Sequence, residues 1–196
     1  MKPTFFNLTG NERKLADTCP VDVTPPKQTA TIRWLMRRDL AYVLRIEFEA
    51  CADPWGQDDI LTLLCEKNVI GSVAVLDETP VGYCIYAWDK RAWTIHRLAV
   101  HPDFQRRGIG KLLVGRLVEK LDQRFCKTRD CIEHVIADWN LSGQLFLQKC
   151  GFRGIAVLRG GPRDTSIADG RDDDPDQYVM QRSLRAPSTP QRNAAR

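Results

Sequence analysis

The chain has 196 residues, of which 43% are hydrophobic and 28% charged, with a formal charge of +4. That length suits one domain with a sizeable core plus unpacked ends, and the composition is that of an ordinary soluble protein. No run approaches the roughly 18 apolar residues of a membrane span, the start Met1-Lys2-Pro3-Thr4-Phe5-Phe6-Asn7 lacks a signal-peptide core, and the charge excess is too small to argue for nucleic acid.

Residues 1–28 mix Pro, Thr, Asn, Asp and Lys without a period and read as a disordered leader. Ile32 to Met36 reads as a short strand, and Asp39 can cap a helix carrying Leu40, Val43, Leu44 and Phe48. Asp53-Pro54-Trp55-Gly56 breaks that helix, and Asp58 or Asp59 starts a second with Ile60, Leu63 and Leu64 inside. Val69 to Leu76, Val81 to Trp88 and Trp93 to Val100 follow as three apolar strands of an antiparallel meander. A helix from about Gly108 to Arg124 places Leu113, Leu117 and Leu121 on one face. Ile132 to Ala137 is a strand, Ser142 to Cys150 a helix, and Phe152 to Leu158 and Gln177 to Leu184 are closing strands. The folded domain is therefore expected over 29–184, with a basic disordered tail over 185–196. Seven cysteines without a Cys-x-x-Cys pair read as reduced thiols of a cytoplasmic protein that holds no metal.

The most informative stretch joins the third meander strand to the long helix. Strand residues Leu98, Ala99 and Val100 run through Gln105-Arg106-Arg107-Gly108-Ile109-Gly110-Lys111 into the helix start. Free backbone N–H groups and the helix dipole make such a start an anion seat. Gly108 and Gly110 admit a close approach, and the basic side chains add donors. A Walker A loop would need Ser or Thr after Lys111, where Leu112 stands, and a dinucleotide fingerprint would need Gly at position 113, which is Leu113.

Gln105-Arg106-Arg107-Gly108-Ile109-Gly110 resembles the acetyl-coenzyme A pyrophosphate loop of the GNAT superfamily of N-acetyltransferases. Asn140 to Phe152 resembles the later motif of that family, with Asn140, Gly151 and Phe152 in register. Asp53-Pro54-Trp55 and Tyr178-Val179-Met180-Gln181 are similar to segments of its ribosomal-protein-alanine N-acetyltransferases. The resemblance implies an α/β GNAT fold: one mixed sheet of about seven strands flanked by four helices and splayed between the fourth and fifth strands. It implies acetyl-CoA as cosubstrate, held by Leu98, Ala99, Val100, Gln105 to Lys111 and Asn140. Asn140 can equally be the N-cap of its own helix.

Two positions depart from the family pattern. A tyrosine that protonates the departing thiolate would fall at Leu147, and a glutamate base at Val135. His96 is the alternative base if its strand face looks into the cleft, since an imidazole accepts a proton at neutral pH, and a buried hydrogen-bonded histidine if that face looks into the helix layer. Thr94, His96, Leu98 and Val100 are expected on one strand face by alternation. Glu133 can replace the missing glutamate and Tyr178 the missing acid; each can also be an ordinary packed or surface side chain. Trp55 lines the acceptor side by family analogy or only packs the second helix, and Cys84 and Cys150 read as core thiols.

The expected function is acetyl transfer from acetyl-CoA to a primary amine, a protein N-terminus of the ribosomal-protein-alanine type. A small amine or polyamine is the second candidate acceptor, and a non-catalytic acyl-CoA-binding protein the third reading. Six aspartates between Asp164 and Asp176, against Arg171 alone, would draw a basic protein N-terminus to that side. Neither a membrane nor direct nucleic acid binding is expected.

Overall fold

A computed structural model describes residues 29–89, 92–123, 131–159 and 175–183. The leader, the basic tail and most of the acidic segment lie outside the described residues. Strands β1 (Thr31–Trp34), β2 (Val69–Leu76), β3 (Thr79–Trp88), β4 (Trp93–Val100), β5 (Cys131–Ala137), β6 (Arg153–Leu158) and β7 (Gln177–Ser183) join four helices. The helices are α1 (Leu40–Ala50), α2 (Gln57–Leu64), α3 (Ile109–Gln123) and α4 (Leu141–Lys149). Every expected element is present in the expected order. The strands form one sheet in the order β1-β2-β3-β4-β5-β7-β6. All neighbours are antiparallel except β4 and β5.

Two cores lie on the two faces of this sheet. Leu113, Leu117 and Leu121 of α3 pack with Tyr86, Ile95, Ile132, Leu147 and Phe152 on one side. Val43 and Ile46 of α1 and Ile60 of α2 pack with Val73, Tyr83, Ile85 and Ala99 on the other. The inward stripe of α1 is Val43, Ile46 and Glu47, whereas Phe48 is 79% exposed. The sequence reading placed Phe48 with the apolar residues of this helix and gave Glu47 no inward role. An internal cation partner reverses that assignment.

Asp39 precedes α1 without capping it. Its carboxylate accepts from both terminal nitrogens of Arg33, at 2.6 and 2.7 Å, and from the Met36 N–H at 2.8 Å. These bonds tie β1 to the start of the helical layer. The Arg33 hydrogen bonds hold the Asp39 carboxyl below its ordinary value against the opposing effect of burial. A depressed folded value stabilises the fold above the unfolded pKa and ceases to do so as pH falls through the folded one. Asp39→Asn should therefore cost about 2 kcal/mol at neutral pH, the scale of charge-assisted hydrogen bonds. Denaturant titrations of both proteins should converge once the pH drops below the carboxylate range.

Candidate active site

Strand β4 ends at Val100, and a short 3-10 turn, Pro102–Phe104, leads toward α3. The side chain of His101 pins this turn: Nδ1 accepts from the Asp103 N–H, and Nε2 lies 2.7 Å from the Glu49 carboxylate of α1. Arg106 and Gly108 then take left-handed backbone conformations, with φ of 62° and 87°. Alternating handedness of this kind folds backbone N–H groups toward one concavity. The Gly108 carbonyl accepts from the Leu112 N–H at 2.9 Å, so Gly108 caps α3. The N–H groups of Ile109, Gly110 and Lys111 belong to the first turn, ahead of any i→i−4 partner.

A Cβ at Gly108 would meet nothing within 4 Å, so the space above the helix start is open. Gly110 has a different role from the one its position suggests. A Cβ there would stand 3.0 Å from the Phe146 ring, so this glycine permits the close approach of α3 and α4. Arg106, Arg107 and Lys111 are exposed around the concavity, and the Ile109 side chain is buried in the core. A groove of about 620 Å³ runs from Gly108 and Lys111 along α3 to Glu119, with Ala30, Thr31 and Ile32 as its other wall.

Only Trp93, Thr94 and Ile95 of β4 pair with β5, against Ile132, Glu133 and His134. Beyond that rung the two strands separate, as the family resemblance implied. A β-bulge sits at the vertex. Ile85 pairs with Arg97 while Tyr86 pairs with Ile95, which leaves His96 as the extra residue. The inserted residue reverses the facing of the strand residues after it. Trp93 and Ile95 point to the α3 core, but so do Leu98 and Val100, while Ala99 joins the α1 core. The expectation that Thr94, His96, Leu98 and Val100 share a face is thereby corrected.

The bulge also decides which backbone groups face the cleft. The His101 N–H donates to Val81 of β3, so alternation turns the N–H and C=O groups of Val100 and Leu98 away from β3 and toward the opening. Those of Ala99 face β3. The Val100 carbonyl is taken by the Gln105 side chain at 3.0 Å. His96 is half-buried, and burial pushes its imidazole below the ordinary value, partly opposed by Glu66.

On the α1 side of β4 lies an ion pair that sequence reasoning missed. Arg97 donates Nε to Glu47 Oε1 at 3.2 Å and Nη2 to Oε2 at 2.6 Å. Its Nη2 also reaches the Asp53 carbonyl at 2.6 Å, and the Trp55 N–H donates to Glu47 at 3.0 Å. The guanidinium lies 4.7 Å from the centre of the Trp55 ring. Glu47 is fully buried, so one carboxylate fastens the α1–α2 connection to β4 next to the bulge. The nearby Cys51 thiol is pushed up to about 12, by burial first and Glu47 next, so it stays protonated. Sequence signals existed: Arg97 interrupts an apolar strand and Glu47 an apolar helix face.

The remaining candidates fall on both faces of the sheet. Glu133 accepts from Gln181 of β7 at 2.8 Å and shares its face with Val135, which is 40% exposed. Tyr178 pairs across from Ile136 and packs against the α3 core, on the opposite face of the sheet from Glu133. Asn140 caps α4 through the Gly143 N–H at 2.9 Å. Leu147 is a buried core residue. Gly151 ends α4 with φ of 87°, the left-handed helix terminus its sequence position implied. Cys84 and Cys150 are buried thiols; burial pushes Cys84 up to about 12.

Residues 31–152 match the family model described as Acetyltransferase (GNAT) family. A [Ribosomal protein bS18]-alanine N-acetyltransferase of Salmonella typhimurium is 31% identical over 94 residues, 48% of this chain and 63% of the relative. The chain thus spans less than two thirds of that relative's length. A tRNA(Met) cytidine acetyltransferase of Actinobacillus pleuropneumoniae is 33% identical over 78 residues, 39% of this chain and 13% of that protein. Among solved structures, the ribosomal-protein-S18-alanine N-acetyltransferase from Escherichia coli superposes with a TM-score of 0.67 at 21% identity, covering 86% of this chain and all of that one. Arabidopsis thaliana NAA60 in complex with acetyl-CoA gives 0.65 at 15% identity, covering 80% and 99%. These two structural likenesses concern the fold.

Proposed function

Because the chain belongs to the GNAT acetyltransferase family, we propose that it transfers the acetyl group of acetyl-CoA to a primary amine in a ternary complex in the cytoplasm. The open concavity at Gly108, ringed by Arg106, Arg107 and Lys111, carries this reading. Its backbone donors and dipole suit a diphosphate. Val100 and Ile95 lie opposite Gly82 and Tyr86, four steps apart on β3, and at about 3.3 Å per residue the cleft vertex lies about 13 Å from the strand end. An extended pantetheine arm covers that span. The Leu98 and Val100 N–H groups face the arm and are the donors for the carbonyl oxygen as it becomes an oxyanion. Asn140 keeps its amide nitrogen for the carrier while its oxygen caps α4.

The acceptor reaches the vertex from the α1 side, past the Trp55 connection. Similarity to the Salmonella relative supports a protein N-terminus, and the acidic segment before β7 favours a basic one. His96 takes the proton that the acceptor ammonium must lose, since its depressed imidazole is neutral at neutral pH. Glu133 and Tyr178 are the subordinate candidates for proton transfer, from the two opposite faces.

The test is thiol release from acetyl-CoA across basic N-terminal peptides, polyamines and arylalkylamines. Turnover is expected with a peptide. His96→Ala should lower kcat by about 100-fold, the low end for losing a general base. In the wild type kcat/KM should fall as pH drops through a value below that of an ordinary imidazole. Tight carrier binding with no turnover on any acceptor would replace acetyl transfer with the non-catalytic binding role.

A further inference from the structure

Acetyl transfer from a thioester moves two protons. His96 takes the first from the ammonium before attack. The second remains on the amine nitrogen after it bonds to the carbonyl carbon, while the departing sulfur requires one. The positions that would supply these groups by family resemblance hold Val135 and Leu147, neither of which exchanges a proton.

We infer that His134 carries this second proton from nitrogen to sulfur; the inference rests on the acetyl-transfer reading above. His134 sits on the last rung before β4 and β5 part, paired with Ile95. It shares a strand face with Ile132 and Ile136, the side to which Leu98, Val100 and α3 also turn. Its Nδ1 lies 2.7 Å from the Ile95 carbonyl oxygen. A carbonyl can only accept, so Nδ1 carries the hydrogen and the lone pair of the neutral ring is on Nε2. Nε2 has no hydrogen-bond partner among the described residues, and the side chain belongs to a half-buried residue. A fixed tautomer therefore presents a free acceptor at the vertex, where the pantetheine arm ends.

The surroundings suit a shuttle. His96 and Arg97 of β4 are the ionisable groups whose charges act on this ring, and both oppose a positive charge on it. Met180, opposite on β7, is apolar. Burial acts in the same direction and outweighs the Ile95 bond, so the ring rests neutral. Once protonated it is a stronger acid than a free imidazole, which suits donation to a thiolate. In the step, Nε2 binds the proton of the attached nitrogen, and the Ile95 carbonyl keeps Nδ1–H oriented. The C–S bond then breaks with its electron pair going to sulfur, and the Nε2 proton follows. Amide, thiol and neutral His134 result, with no other reactant consumed.

His134→Gln retains an amide N–H for the Ile95 carbonyl and removes the exchangeable nitrogen. Its thermal midpoint and acetyl-CoA affinity should stay near wild type while kcat falls about 100-fold. His134→Ala should lose a similar factor and recover activity when free imidazole is added, with the recovery tracking the neutral form of imidazole. A His134→Gln enzyme within threefold of wild-type kcat would overturn the assignment, as would loss of carrier binding in that variant or no recovery with imidazole. Wild type without turnover would remove the acetyl-transfer reading and this role together, whereas undiminished turnover in the variants removes this role alone.

Discussion

Glu47→Gln should lower the unfolding free energy by about 3 kcal/mol, the low end of the range for breaking a buried ion pair. The low end applies because Arg97 keeps a 21% exposed side chain and the Asp53 carbonyl as a remaining acceptor. Three bonds to the Glu47 carboxylate are at stake: two from Arg97 and one from the Trp55 N–H. Chemical denaturation measures the loss. The larger consequence is functional, because the α1–α2 connection is fastened to β4 through this carboxylate. The KM for the acceptor should rise at least tenfold at temperatures where the protein remains folded, while acetyl-CoA affinity is unchanged. A destabilised enzyme with an unaltered acceptor KM would show that the pair serves the fold alone.

Gly108→Ala should weaken acetyl-CoA binding by at least tenfold in calorimetry. At φ of 87° a Cβ costs about 1–2 kcal/mol of backbone strain, and relief of that strain distorts the first turn of α3. The methyl group itself meets no other atom within 4 Å, so it projects into the open space proposed for the diphosphate. Gly110→Ala supplies the contrast two residues away. Its methyl group would press on the Phe146 ring at 3.0 Å. That change should cost about 1 kcal/mol or more of stability through overpacking, with a smaller effect on carrier affinity. Unchanged binding in Gly108→Ala would move the diphosphate away from this loop.

These two glycines show how much of the site the sequence discloses. The strand, Gly-rich turn and helix were legible because each element has its own period and punctuation. The division of labour between Gly108 and Gly110 was not, since it depends on where α4 lies. Leu113, Leu117 and Leu121 could be assigned to the core from spacing alone, and all three are buried. Arg97 and Glu47 stand fifty positions apart, so neither local propensity nor periodicity joins them. His134 escaped notice for a related reason: its one side-chain hydrogen bond among the described residues is to a carbonyl on another strand, and any residue type offers that carbonyl. The bulge at His96 leaves no compositional trace. Counting by twos through Trp93 to Val100 therefore gives the wrong face for half the strand.

That extra residue separates two demands ordinarily imposed on one position. Facing on either side of the vertex is set by the pairing of Ile95 with Tyr86 and of Arg97 with Ile85, not by which side chain occupies position 96. Deleting the residue would close the bulge into a regular ladder in which Arg97 and Leu98 keep their faces, and would take the vertex side chain away. Replacing it leaves the backbone phase intact. Natural variation can therefore try different proton-handling side chains at the vertex without endangering the fold. Such a position is suited to diversify in chemistry while the scaffold around it stays constant.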